Sequence, residues 1–290
     1  MPVPSRRDLP YSFMVPAPSI ERLDAATLRL LAAATGVTSE ENAYDFFTDN
    51  RQALRLALAA PEAEVLAQST DGLDELEIAV AVHRCAANIC SAAWTMNDST
   101  PVDLDLIGFA GEGVLLRSMV DLLAGALRPP WNAAEIADLA PLGLRELAPA
   151  GSLLRLEQLV AVCDQADDFE RSGALRLLAD EALFSVGVLS GPTSGVRLTN
   201  DVTWQIISTV TPRAIKTMRS TLPPVQSLLD LYLLLGPVWY RMASQNLLFI
   251  ELRPLLSSLA AHFDTARRFL VQVSQGPLAP AVRNIVSISR

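Results

Sequence analysis

The chain predicts an all-α fold, a multi-helix globular bundle holding at most one short β-pair. Three observations carry this reading. Apolar residues recur at helical spacing, with cap signals, along most of the length. Half of the 290 residues are apolar and 19% are charged, the balance of a chain with a core to bury. Only two short runs read as strand, and two isolated strands make no sheet unless they pair with each other.

Taken in order, prolines at 2, 4, 10, 16 and 18 predict an extended or disordered arm over 1–18. Helices are expected over 21–35 and 39–60, the second entered through a capping-box pattern at Thr38-Ser39-Glu40-Glu41. Asp71, Asp74, Glu75 and Glu77 put acids at the positive end of a helix running to about Met96. Val102–Ile107 alternates apolar and polar residues and is the first strand candidate. Gly108-Phe109-Ala110-Gly111-Glu112-Gly113 then reads as a turn into a helix over 111–127. Its spacing fits neither the dinucleotide fingerprint nor the P-loop.

Asn132-Ala133-Ala134-Glu135 is a further capping pattern. A long helix over 152–188 is expected to break at Ser172-Gly173. Val202–Val210, rich in β-branched residues, is the second strand candidate. Helices over 212–221, 225–235, 238–250 and 253–274 complete the chain, with Gly236-Pro237 separating the middle pair. This divides the chain into an arm at 1–18, an N-terminal helical region at 19–128 and a C-terminal helical region at 129–290. The two regions can form one continuous domain. Arg128-Pro129-Pro130-Trp131 and Ser190–Gly195 are the boundary candidates.

Charge is divided unevenly. Residues 1–196 hold 28 acids against 13 arginines, and residues 197–290 hold 10 cations against 4 acids. That predicts either mutual attraction of the halves or a basic surface kept for an anionic partner. The overall pI near 4.8 disfavours nucleic acid as a partner. No uncharged apolar run reaches the roughly 20 residues of a membrane span. Three cysteines make no disulfide framework, so a cytoplasmic location is expected.

No complete catalytic motif is present. His83 and Cys90 share a helical face but stand roughly 10 Å apart along the axis, and Cys85 points away from both. His83, Ala87, Cys90 and Trp94 read as a core stripe. His262 precedes Asp264, but no nucleophile accompanies them. Asp164, Asp167 and Asp168, at i, i+3, i+4 of a helix, are the candidate metal ligands. Such oxygen donors suit Mg²⁺ on a diphosphate, and no other cofactor is implied. Their order resembles a reversed aspartate-rich motif of all-helical isoprenoid synthases, without the second metal motif. Arg213, Lys216 and Arg219 follow Thr211-Pro212 along one side of a short helix and are candidate phosphate or carboxylate ligands. Trp204, Trp239 and Tyr240 are candidates to line a small apolar pocket.

Leu178-Ala179-Asp180-Glu181-Ala182-Leu183-Phe184-Ser185-Val186-Gly187 resembles a helix signature in a loosely related group of bacterial all-helical proteins of unknown function. Gly236-Pro237-Val238-Trp239-Tyr240-Arg241-Met242-Ala243 is similar to a later helix of the same group. Ala179 stands where that group has Gly. The resemblance implies a helical C-terminal half and supplies no activity. From the residues themselves, the expected function is a cytoplasmic helical binding or regulatory protein that engages a protein partner or forms a homo-oligomer through its C-terminal region. The alternatives are a Mg²⁺-dependent lyase or transferase on a diphosphate and a protein that binds a small apolar ligand.

Overall fold

The computed structural model describes residues 23–69, 75–95, 103–127, 148, 150–166, 168–190, 193, 195–211, 225–245 and 252–288, with backbone alone at 93–95, 168–170 and 284–288. Fourteen α-helices and no strand occur among them. In chain order these begin with α1 (Ala25–Thr35), a 3₁₀ turn (Glu40–Asn42), α2 (Ala43–Asp49), α3 (Arg51–Ala59) and α4 (Pro61–Gln68). Next come α5 (Glu75–Thr95), α6 (Leu104–Gly111), α7 (Gly113–Leu127), α8 (Leu153–Gln165) and α9 (Asp168–Gly187). The last are α10 (Asn200–Val210), α11 (Leu228–Ser244), α12 (Arg253–Ala261), α13 (Phe263–Gln275) and α14 (Ala279–Ile288).

Short polar side chains cap six of the helix starts. Asp24, Asn50, Asp103, Ser152 and Thr199 each accept a bond from a backbone N–H three residues on. Ser227 and Asp230 form a reciprocal capping box on α11. The expected box at Thr38–Glu41 is absent, since Ser39 leads into the 3₁₀ turn without a side-chain cap bond. The region expected as one helix over 39–60 divides at Asn50, which ends α2 and caps α3.

Both strand candidates are helical. In α10, Thr203, Ile206, Ile207 and Val210 are the buried residues, an i, i+3, i+4, i+7 stripe. That periodicity overrides the β preference of their branched side chains. In α6 the Asp103 cap starts a helix where alternation predicted strand. The only extended pairing among the described residues is one antiparallel bridge, Arg197 to Ser227.

Two other breaks move. The long helix ends at Gln165, with Ala166 extended (ψ 139), rather than at Ser172-Gly173. Ser172 lies within α9 and donates to Ala243 O on α11 at 2.9 Å. Conversely, α11 runs unbroken through Gly236-Pro237, and the predicted single helix over 253–274 divides at His262. The predicted arm, the helix over 212–221, the Asn132 cap and the Arg128–Trp131 boundary lie outside the described residues.

The packing centres on α9, which lies against α7, α8, α11 and α13. A second centre is α5, with α3, α4, α6 and α7 around it, and α13 reaches across to α5 and α6. One contiguous buried cluster runs from Leu23 to Leu278. Two crossings depend on glycine for closeness. A Cβ on Gly187 would come within 2.7 Å of Leu270, and one on Gly236 within 2.3 Å of the Phe263 ring.

Arginines tie helix ends to one another. Arg55 donates to Ala110 O at the end of α6, and Arg253 to Ser244 O at the end of α11. Arg171 serves two ends at once, donating to Cys163 O of α8 at 3.2 Å and Thr209 O of α10 at 3.0 Å. A guanidinium has donors enough to bridge two carbonyl-rich, electronegative termini.

Candidate functional site

Asp180 and Glu181 are the only charged residues between Arg176 and Arg197. Being adjacent on α9, they point about 100° apart and enter different surroundings.

Glu181 is enclosed. Its Oε1 accepts from Gly151 N at 2.7 Å and Ser185 Oγ at 3.2 Å. Its Oε2 faces Arg155 Nε at 3.3 Å. Gly151 adopts φ +76, a left-handed conformation that suits a residue without Cβ, and this aims its N–H at the carboxylate. Arg155 also donates to Ala148 O at 3.4 Å, so the pair pins the α8 entry to α9. The buried Tyr232 hydroxyl stands beside this pair. Burial, then the Glu181 charge, holds Tyr232 well above the usual phenol range.

Asp180 is reachable, with its side chain 27% exposed. Tyr240 OH donates to its Oδ1 at 2.6 Å, and Arg176 Nε lies 3.5 Å from Oδ2. Removal from water raises the Asp180 carboxyl above the usual range, against the Arg176 charge and the Tyr240 bond; Asp121 on α7 adds to the rise. Burial likewise pushes Tyr240 well above its ordinary value. This contact also joins α9 to α11, at Asp180 and Tyr240.

Of the aspartates singled out from sequence, Asp164 and Asp168 lie on different helices: Asp164 is exposed near the end of α8 and Asp168 opens α9, while Asp167 lies outside the described residues. An acid at 168 suits the positive end of a new helix. Arg171 bonds backbone carbonyls of α8 and α10. Among the described residues no three His, Cys, Asp or Glu side chains converge to hold a metal. Arg213, Lys216 and Arg219 lie outside the described residues.

The aromatic candidates separate. Trp239 is fully buried, edge-on to Tyr232 at 6.4 Å, and Tyr240 packs on Phe263. Trp204 is half-buried on α10, which packs on α8. His83 and Cys85 are buried, Cys90 is half-buried, and His262 is exposed at the α12–α13 joint. Sequence reasoning missed the roles of Asp180, Glu181, Arg155 and Arg176. The available signal was a pair of acids inside an otherwise uncharged apolar stretch, since buried carboxylates require partners.

No protein-family model, curated protein or solved structure matches the chain. No helix among the described residues is long and apolar enough to cross a membrane.

Proposed function

We propose that this chain is a helical binding protein that works on its surface, engaging a protein partner or another copy of itself. One observation carries the reading. Of the nine large apolar side chains left exposed among the described residues, five, Leu30, Val37, Tyr44, Leu56 and Val65, belong to the short segment that forms α1–α4; Leu104 and Val114 follow on α6 and α7, and Leu154 and Leu233 stand singly on α8 and α11. Exposed apolar residues scattered singly are ordinary; their concentration on one part of a fold favours an interaction role.

On α11 of the C-terminal region Leu228, Leu231, Leu235 and Trp239 are buried, while Leu233 is exposed. Part of the C-terminal basic charge is also engaged internally. Arg267 and Arg268 pair with Asp264, and Arg268 reaches Asp103 in the acidic region.

The test compares the full chain with Leu56→Glu/Val65→Glu in sedimentation velocity across a wide concentration range, with affinity capture alongside. Self-association, or a captured protein, that the double variant loses supports the reading. A monomer at every concentration with the same captured set for both proteins sinks it.

A further inference from the structure

We infer that the exposed face of α1 docks a cationic amphipathic helix supplied by another protein. This rests on the binding role proposed above and names the surface and the chemistry of the partner.

Helix α1 buries Leu28, Leu31 and Ala32. Its opposite side exposes Ala26, Leu30, Ala33 and Ala34, an apolar stripe at helical spacing, and Val37, just past the left-handed Gly36 cap, is exposed as well. Arg29, at one edge, is the only charged residue of the helix. A helix apolar on both sides belongs in an interior, yet Leu30 is 54% exposed. Eleven residues give a seat about 16 Å long, enough for roughly three turns of a second helix.

Acids stand at both ends of the stripe. Asp24 caps the N-terminus, where the Thr27 N–H holds its carboxyl below the usual range, so it stays ionised. Exposed Glu40 and Glu41 follow the C-terminal end, and exposed Asp45 and Asp49 lie on α2, which packs against α1. This charge pattern selects among occupants. A second α1 laid antiparallel would set Asp24 of one copy against Glu40 and Glu41 of the other. Laid parallel, it would set each acid against itself. Both arrangements repel, whereas lysines or arginines flanking an apolar stripe meet opposite charge at each end.

The probe is a labelled synthetic peptide with leucines at i, i+3, i+4 spacing and lysines elsewhere, titrated into the full chain by fluorescence anisotropy. Two companions carry glutamate for lysine, or the same composition with the leucine spacing scrambled. The expected result is binding of the leucine–lysine peptide, with both companions weaker by about tenfold or more. Leu30→Glu and Ala33→Glu should each weaken binding by a similar factor, while Leu154→Glu and Leu233→Glu leave it unchanged. Equal binding of the scrambled peptide, or indifference to Leu30→Glu and Ala33→Glu, overturns the assignment. So does a self-associated form that Leu30→Glu dissolves and the peptide does not displace, because the occupant is then a second copy. If Leu56→Glu/Val65→Glu removes a partner that Leu30→Glu leaves bound, α1 is excluded and the binding role stands.

Discussion

The layer α1–α4 and the group α9, α11 and α13 solve opposite problems. The first is made of short helices and leaves Leu30, Tyr44, Leu56 and Val65 in water. The second takes Glu181 inside against Arg155 of α8 and holds partly covered Asp180 on Tyr240, among fully buried Trp239, Tyr232 and Phe269. Interior polar groups must be matched by geometry, so the second group tolerates little change. Exposed apolar groups cost the free chain little and gain only when something covers them. The difference separates residues that hold the fold from residues available for work.

The sharpest break would come from matched ion-pair deletions. Glu181→Ala removes the carboxylate that faces Arg155 and leaves the Gly151 N–H without its acceptor in the interior, and should cost about 3–5 kcal/mol in urea denaturation. Glu64→Ala removes the Arg84 partner on the α4–α5 surface and should cost less than about 1 kcal/mol. Equal costs would erase the contrast.

Glycine substitutions sharpen it next. Gly236→Ala and Gly187→Ala force Phe263 and Leu270 aside and should each destabilise by about 1–3 kcal/mol. Gly125→Ala in α7 meets nothing within 4 Å and should stabilise by up to about 1 kcal/mol.

Asp180 gives a smaller, pH-dependent effect. Its folded carboxyl holds a proton more tightly than the unfolded one, so its contribution favours the fold at acid pH. That contribution is complete below the unfolded pKa and is lost as pH rises through the folded one. Asp180→Asn, which still accepts from Tyr240, should flatten the profile of melting temperature over this range. An unchanged profile would assign the dependence elsewhere. The smallest effect belongs to the outer layer, where Leu30→Glu should alter stability by no more than about 0.5 kcal/mol.

The all-helical class was legible in sequence, because apolar spacing is local, and so were starts such as the one that Ser152 caps. Asp103 and Thr199 cap helices just as locally, yet the alternating and β-branched residues that follow them read as strand. The breaks were less legible. Pro237 remains inside α11, where Gly236 meets Phe263 and Leu231, Leu235, Trp239 and Tyr240 are buried, while the α8–α9 break is bridged by Arg171, whose other bond is to α10. Asp164 and Asp168 fall on different helices for the same reason, since long-range contacts interrupt the continuous helix that a shared face assumes.

The order of residues alone determined that this is a helical protein, since 3.6-residue burial patterns and end caps are written within a few positions. Tertiary structure alone decided which carboxylates are enclosed, which aromatics are core and which apolar face is left uncovered. Adjacent Asp180 and Glu181 are nearly the same in sequence. They become different chemical groups only when α7, α8 and α11 close around α9 and set the water, charge and donors that each one meets.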